Sequence, residues 1–280
     1  MGVFSWMEYR VIGDGVSIPV LGVGTWGMGG RQVEDRSRDD EDVQAIRVAL
    51  DLGMTHVDTA EYYGAGHCEE LVGEAIESYR RKDVFITTKV WRNHLEYDAL
   101  LKSMEGSLRR LGVDHVDLYL IHWPNPEVPL SETMSALEKC ADEGLTRFIG
   151  VSNFSPQLMR EAQGCLREHR LVADQVEYSL MDQKPGMELL PYLRSRDSLL
   201  VAYKPLGRGS LIGGQNRVLG EMAEKYGKTP AQVALNWVIS HEGVVAIPKS
   251  SNPLHILENA GAVGWRLSDE NMALLADSFV

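Results

Sequence analysis

Val84-Phe85-Ile86-Thr87-Thr88-Lys89, then Leu100, Met104, Leu108 and Leu111 at helical spacing up to Gly112, then Val116-Asp117-Leu118-Tyr119-Leu120-Ile121-His122: this passage decides the fold. Two short, mostly apolar runs flank one amphipathic helix, and strands of that kind are covered on both faces. Parallel neighbours need a crossover of about this length. The same unit recurs in both directions. Strand-like runs at 20–24, 55–59, 84–89, 116–122, 147–151, 173–177, 199–203 and 244–247 alternate with helical patterns. Asp39 opens a helix carrying Val43, Ile46 and Leu50, which Gly53 ends; Met134, Leu137 and Ala141 line another, ended by Gly144. Ser155-Pro156, Thr229-Pro230 and Asn252-Pro253 each give an N-cap followed by a first-turn proline. Eight β-then-α units predict an α/β fold, the (β/α)8 TIM barrel, with a doubly wound sheet as the alternative. Upstream, residues 9–12 and 16–18 flank Gly13-Asp14-Gly15, the pattern of an N-terminal β-hairpin. Such a hairpin is placed to plug the barrel floor. No low-complexity linker divides the chain, so residues 1–280 are expected to form a single barrel domain.

The bulk properties narrow the function. A net charge of −12 disfavours nucleic acid and anionic membrane as partners. No apolar run approaches the length of a membrane span, and the first residues lack a basic segment followed by an apolar one. Gly2 is not followed by the pattern of a myristoylation signal. The three cysteines, Cys68, Cys140 and Cys165, are too few and scattered for a disulfide framework or a zinc cluster. A cytoplasmic protein, monomeric or weakly homo-oligomeric, is expected. Gly22-Val23-Gly24-Thr25-Trp26-Gly27 matches the dinucleotide fingerprint letter for letter, but its third glycine should already lie in a helix. Here the helix begins only near Asp39, and the Rossmann reading fails on context.

The chemistry lies at strand ends. Asp58 ends the second barrel run, Tyr63 follows it in Val57-Asp58-Thr59-Ala60-Glu61-Tyr62-Tyr63-Gly64, and Lys89 and His122 end the third and fourth. In a (β/α)8 barrel these ends converge on one mouth. Singly, Asp58 reads as a cap, Tyr63 as packing and His122 as a core histidine. Together they suit the protonation of an oxygen as charge develops on a carbonyl. A lysine ammonium beside Tyr63 is expected to lower the phenol's pKa, with Asp58 holding the lysine and His122 orienting the substrate oxygen. One carboxylate and one histidine beside a lysine make a poor metal site, and no metal is expected.

These residues bring a resemblance into view. The chain resembles the aldo-keto reductase superfamily over essentially its whole length, in the prokaryotic type with a short C-terminus, like aldehyde and 2,5-diketo-gluconate reductases. The matching motifs are Gly-Val-Gly-Thr-Trp (22–26), Val-Asp-Thr-Ala-Glu-Tyr-Tyr-Gly (57–64), Thr-Thr-Lys-Val-Trp (87–91) and Asp-Leu-Tyr-Leu-Ile-His-Trp-Pro (117–124). Gly-Val-Ser-Asn-Phe (150–154), Gln-Val-Glu-Tyr-Ser (175–179), Ala-Tyr-Lys-Pro-Leu-Gly (202–207) and Ile-Pro-Lys-Ser (247–250) follow in order. The resemblance implies a catalytic tetrad of Asp58, Tyr63, Lys89 and His122, with Tyr63 as general acid while a nicotinamide gives hydride to a carbonyl carbon. It places Ser152, Asn153 and Gln175 on the nicotinamide carboxamide and stacks Tyr203 on the ring. Gly24, Thr25, Trp26 and Asp58, with Lys204, Pro205, Leu206 and Gly207, join the implied cofactor site.

The phosphate end also has a physical reading. Ile247-Pro248-Lys249-Ser250-Ser251-Asn252-Pro253 sets a lysine and two hydroxyls at a helix N-terminus, which suits an anion as well as an ordinary cap. The resemblance makes it the 2′-phosphate site of NADPH, with Glu258 and Asn259 on the adenine. His255 stands where many members carry an arginine, and a largely neutral imidazole lacks that bidentate fork. NADPH is therefore favoured with NADH open. Lys204 stands where serine is frequent, its charge a partial substitute. Trp26, Trp91 and Trp123, with Tyr63 and His122, form the implied substrate pocket, flat-walled and apolar. The chain ends at Val280, and the insert at 208–217 is short and glycine-rich, so an open, weakly selective site is expected. Cys68 reads as an ordinary helix thiol rather than a redox group. The leading reading is NADPH-dependent reduction of aldehydes and ketones, such as α-oxo-aldehydes or keto-sugars. Oxidation of an alcohol or sugar with NAD(P), and a nicotinamide-binding regulatory subunit of an ion channel, are the alternatives.

Overall fold

A computed structural model describes residues 7–213 and 216–279. Residues 1–6, on which the reading of the N-terminus rests, lie outside it, as do Gly214 and Gln215 of the glycine-rich insert and Val280. The chain opens with an antiparallel hairpin of β1 (Tyr9–Ile12) and β2 (Val16–Pro19). Its turn, Gly13-Asp14-Gly15, runs at positive φ throughout (36°, 34° and 76°), which is why two of the three residues are glycine. Ile12 and Ile18 are fully buried in one cluster with Phe85, Leu118, Phe148 and Val245. These side chains fill the barrel interior, so the hairpin does plug the floor.

Eight parallel strands follow: β3 (Val23–Gly24), β4 (His56–Asp58), β5 (Phe85–Val90), β6 (Val116–Ile121), β7 (Thr146–Ser152), β8 (Leu171–Glu177), β9 (Leu199–Tyr203) and β10 (Val244–Ala246). Each pairs with the next. Bridges from Leu21 to Ala246 and from Gly24 to Lys249 join the first strand to the last. The amide of Gly22 donates to the Ala246 carbonyl at 2.8 Å, and that of Ala246 donates to Val20 at 2.8 Å. The ring is closed, and the architecture is the (β/α)8 barrel with its N-terminal hairpin.

Closure explains the false dinucleotide signature. A Cβ on Gly22 would stand 2.6 Å from the His56 carbonyl oxygen, and one on Gly24 would stand 2.7 Å from that of Ile247. Backbone cannot yield there as a flexible side chain would. These glycines let strands approach.

The helices begin and end where the sequence punctuates them. Ser155 accepts from the Leu158 amide, Asn252 accepts from that of Leu254, and Thr229 forms a reciprocal capping box with Gln232. Gly112 and Gly144 stop their helices in left-handed conformations. Asp39 is the first residue of its helix, with Arg38 rather than an acid at the cap. The one irregularity in the ring lies between β7 and β8. Ile149 faces Leu171 but Val151 faces Asp174, so β8 carries an extra residue. Asp174 and Gln175 come just after it, at the rim of the barrel.

Candidate active site

β4, β5 and β6 deliver Asp58, Lys89 and His122 to one end of the barrel. Tyr63 follows β4 at the start of a short 3-10 turn (Tyr63–Gly66). Lys89 is fully buried and points its ammonium at three oxygens: Asp58 Oδ1 and the Thr59 carbonyl, both at 2.7 Å, and the Tyr63 hydroxyl at 3.2 Å. The second oxygen of Asp58 accepts from Gln175 Nε2 at 2.7 Å. Burial pushes the Asp58 carboxyl up and the Lys89 ammonium down, and their contact opposes both shifts. A buried pair of this kind persists because the remaining donors and acceptors are satisfied.

Tyr63 corrects one expectation. Burial, with the Asp58 charge second, holds its phenol well above the ordinary tyrosine value. Lys89 was expected to lower it, but that ammonium is shared with Asp58 and Thr59, and desolvation of a phenolate wins. Tyr63 is therefore a neutral phenol with a proton to give. His122 also stays neutral, because burial and the nearby Lys89 charge hold it well below the usual histidine value. Its Nδ1 is buried without a partner, which leaves Nε2 as the nitrogen available to a ligand. The Tyr63 and His122 rings meet edge to face, 5.5 Å apart.

A cavity of about 910 Å³ opens above these residues. Asp58, Tyr63 and His122 form its base, and Lys89 lies beneath it. One end is aromatic. Trp26, Tyr62 and Trp91 stand nearly parallel, with Tyr62 and Trp91 in direct stacking at 3.7 Å. Trp26 and Trp123 are exposed, at 37% and 40%, so this end is open to solvent. Tyr62 is a wall residue that sequence reasoning passed over, although it sits beside Tyr63 in the quoted motif.

The middle of the cavity is polar. Ser152, Asn153 and Gln175 reach it, as does Tyr203. The Asn153 amide is already engaged: Nδ2 donates to the His122 carbonyl and Ser152 Oγ, and Oδ1 accepts from the Tyr203 hydroxyl at 2.8 Å. Asn153 holds this bridge at φ 64°, a conformation that asparagine tolerates better than most residues. Asp174, between Ala173 and Gln175, is fully buried. Neither of its oxygens has a partner at hydrogen-bond geometry, and the nearby amides of Phe154 and Asn153 offset burial only in part, which pushes the carboxyl up to about 8.

The far end carries cations. Gly24, Ile247, Lys249, Ser250 and His255 line it, with Glu258 and Asn259 deeper along the helix Pro253–Ala260. Lys204, Pro205 and Leu206 form the opposite bank after β9. Lys204 is less free than expected, because Glu177 takes its ammonium at 2.6 Å. Lys204 and Arg208 both hold left-handed conformations, at φ 49° and 58°, of the kind that concentrates at binding loops. Four implied cofactor residues do not line the cavity. Thr25 is fully buried and donates to the Asp58 carbonyl at 2.9 Å, tying β3 to β4. Gly207 shapes the turn after β9 at φ 56°. Ser251 accepts from Lys249 Nζ at 2.7 Å, and Asn252 caps its helix. Arg31 and Arg208 do line it and were not foreseen. No motif covers either, and their only signal was charge in loops after barrel strands. Cys68 is buried beneath Thr25 and Thr59, its thiol pushed up to about 11, an inert packing group.

A sequence model of the Aldo/keto reductase family matches residues 20–278. The chain belongs to the aldo-keto reductase family. Among curated relatives, this reductase is 38% identical over 279 residues to a methylglyoxal reductase of Escherichia coli, covering 98% of this chain and 96% of that one. It is also 38% identical to a 9,11-endoperoxide prostaglandin H2 reductase of Trypanosoma cruzi, over 92% of this chain and 87% of that one. A thermostable aldo-keto reductase crystallised with the inhibitor epalrestat superposes with a TM-score of 0.93 at 47% identity, covering 97% of this chain and all of that one. A Klebsiella pneumoniae aldo-keto reductase crystallised with NADP and acetate gives 0.87 at 35% identity, over 98% and 95%. None of this reductase's described helices is long and apolar enough to cross a membrane.

Proposed function

We propose that this aldo-keto reductase reduces small aldehydes and ketones, α-oxo-aldehydes among them, with NADPH as hydride source. The observation that carries the proposal is the buried Lys89 ammonium, 2.7 Å from Asp58 and 3.2 Å from a neutral Tyr63 phenol at the base of an open cavity. The residues fit a nicotinamide dinucleotide. A polar stretch of Ser152 and Gln175 lies beside an aromatic plane at Tyr203, and a lysine with a capped helix N-terminus lies at the far end. When bound, the nicotinamide supplies the hydride.

The chain supplies the rest. Tyr63 and His122 converge on the place a carbonyl oxygen would occupy, and His122 Nε2 orients that oxygen without adding charge. Burial keeps the Tyr63 phenol protonated, so it holds the proton that the oxygen takes up as negative charge develops there. As the proton leaves, negative charge grows on the Tyr63 oxygen beside the Lys89 ammonium. That attraction is weak before transfer and strong afterwards, which is the differential stabilisation catalysis requires. Asp58, fixed by Gln175, keeps the ammonium in place throughout. The stacked Trp26, Tyr62 and Trp91 give a flat apolar wall that accepts flat or aliphatic bodies. The E. coli relative's name points to an α-oxo-aldehyde, and an open aromatic end suits such small substrates.

Fluorescence titration with NADPH and NADH, followed by turnover of an aldehyde panel, tests the reading. Tight NADPH binding with turnover supports it. Binding without turnover on any aldehyde favours alcohol oxidation or a sensor, and failure to bind either nucleotide removes it. Lys249→Ala is expected to weaken NADPH roughly ten- to hundredfold, the worth of one charge-assisted contact, while leaving NADH unchanged. Equal losses for both would move the 2′-phosphate elsewhere.

A further inference from the structure

Residues 27–38, between the first motif and the helix Asp39–Asp51, belong to none of the family motifs, yet they are tightly built. Bridges join Gly27 to Gly30 and Gly30 to Glu34, and the Gly29 amide donates to buried Asp42 at 3.0 Å. A Cβ on Gly30 would stand 2.1 Å from the Val33 carbonyl oxygen, so the turn admits no other residue without rearranging. From the other side, the Gly64 amide donates to the Arg31 carbonyl at 2.9 Å. The backbone under Arg31 is thus fixed to the segment that carries Tyr63.

Arg31 itself is exposed and lines the same cavity as Lys249 and His255. Its Cγ lies 4.0 Å from where a Gly27 Cβ would be, so its stem crosses the glycine turn. In a chain of net charge −12 an arginine has acids in plenty to choose from. Among the described residues Arg31 makes no ion pair and its guanidinium makes no hydrogen bond, and Lys249 bonds only the Ser251 hydroxyl. The two cations are near enough to feel each other. Although Lys249 is exposed at the rim, desolvation along the cleft lowers its pKa, Asp42 opposes, and Arg38 and Arg31 push further down. Arg38 is differently placed. Its guanidinium is committed to Glu41 at 2.6 Å and does not reach the cavity. Both cations line the cavity, neither is ion-paired among the described residues although buried Asp42 favours the Lys249 charge, and an anion in that part of the cavity would be attracted by both.

The geometry points to Arg31 as the second cation of the 2′-phosphate subsite, with Lys249 and in the role for which His255 lacks a guanidinium fork. This assignment rests on the NADPH reading. It makes Arg31 a cofactor-specificity residue contributed by the first barrel loop.

The test is equilibrium binding, read by nicotinamide fluorescence on the full chain, for wild type, Arg31→Gln, Arg31→Lys and Arg38→Gln. Arg31→Gln is expected to weaken NADPH about tenfold, with NADH unchanged and serving as the control for folding. Arg31→Lys should recover part of the loss, since it restores charge without the fork. Equal losses for the two nucleotides, or none, would overturn the assignment. So would an NADPH-selective loss in Arg38→Gln as large as that of Arg31→Gln, which would mark a general field instead of a contact. If wild type binds NADPH and Arg31→Gln is unaffected, only this assignment fails. If wild type binds neither, the functional reading fails first.

Discussion

Tyr63→Phe is expected to lower kcat for aldehyde reduction by about a thousandfold, within the span that a positioned general acid contributes. The change removes one hydroxyl from a ring that packs edge-on against Trp26 and His122, so the cavity keeps its walls. NADPH affinity by fluorescence titration should stay at the wild-type value. The deletion also leaves Lys89 its contacts with Asp58 and Thr59, so folding is spared. A phenylalanine variant that kept near-normal kcat would take the proton-donor role away from Tyr63. An equal fall in cofactor binding would make the residue a wall of the cofactor site.

Lys89→Met should cost both activity and stability. The ammonium is fully buried, and methionine leaves the Asp58 carboxylate with Gln175 alone for company. Removing one partner of a buried ion pair costs about 3–5 kcal/mol, which for a chain of this size corresponds to a fall in Tm of roughly 10 °C. The double variant Asp58→Asn/Lys89→Met separates the two effects, because it removes both charges together. Its Tm should return most of the way toward wild type while its turnover stays lost. If the double variant were no more stable than the single one, the uncompensated Asp58 charge would not be the cause. If Lys89→Met retained turnover, the ammonium would have no part in stabilising the phenolate.

Much of this was legible from the residues. Strands with no wet face, such as 116–122, can only be central parallel strands, and their regular alternation with capped helices leaves few architectures. That architecture then gathers Asp58, Lys89 and His122, because any polar residue ending such a strand must face the mouth. What stayed hidden depended on distance and competition. The sequence puts a lysine near Tyr63 but does not say that Asp58 and Thr59 take most of its attention, so the direction of the phenol's pKa was misread. Thr25 sits among motif residues, yet its hydroxyl turns to the Asp58 carbonyl and away from the cavity. Lys204 reads as a free cation in the sequence, but Glu177, 27 residues upstream, pairs with it across the end of the barrel. Arg31 was illegible for the opposite reason: its loop has no periodicity, and only the closed barrel brings it to the cavity that Lys249 lines.

The extra residue in β8 leaves Asp174 as a carboxyl that burial has raised from 3.8 to about 8. Between those two values the native chain keeps a proton that the unfolded chain releases, so folding near neutrality draws a proton from the buffer. Linkage then requires Asp174 to make the fold less stable as pH rises from about 4 toward about 8, and to add no further dependence beyond. Asp174→Asn fixes the side chain in its neutral form and should flatten that slope in a series of Tm measurements across pH. An unchanged slope would mean that the carboxyl is ionised in the native protein. The rim that places Gln175 against Asp58 is thus coupled to hydrogen-ion activity, although Asp174 itself never meets the cavity.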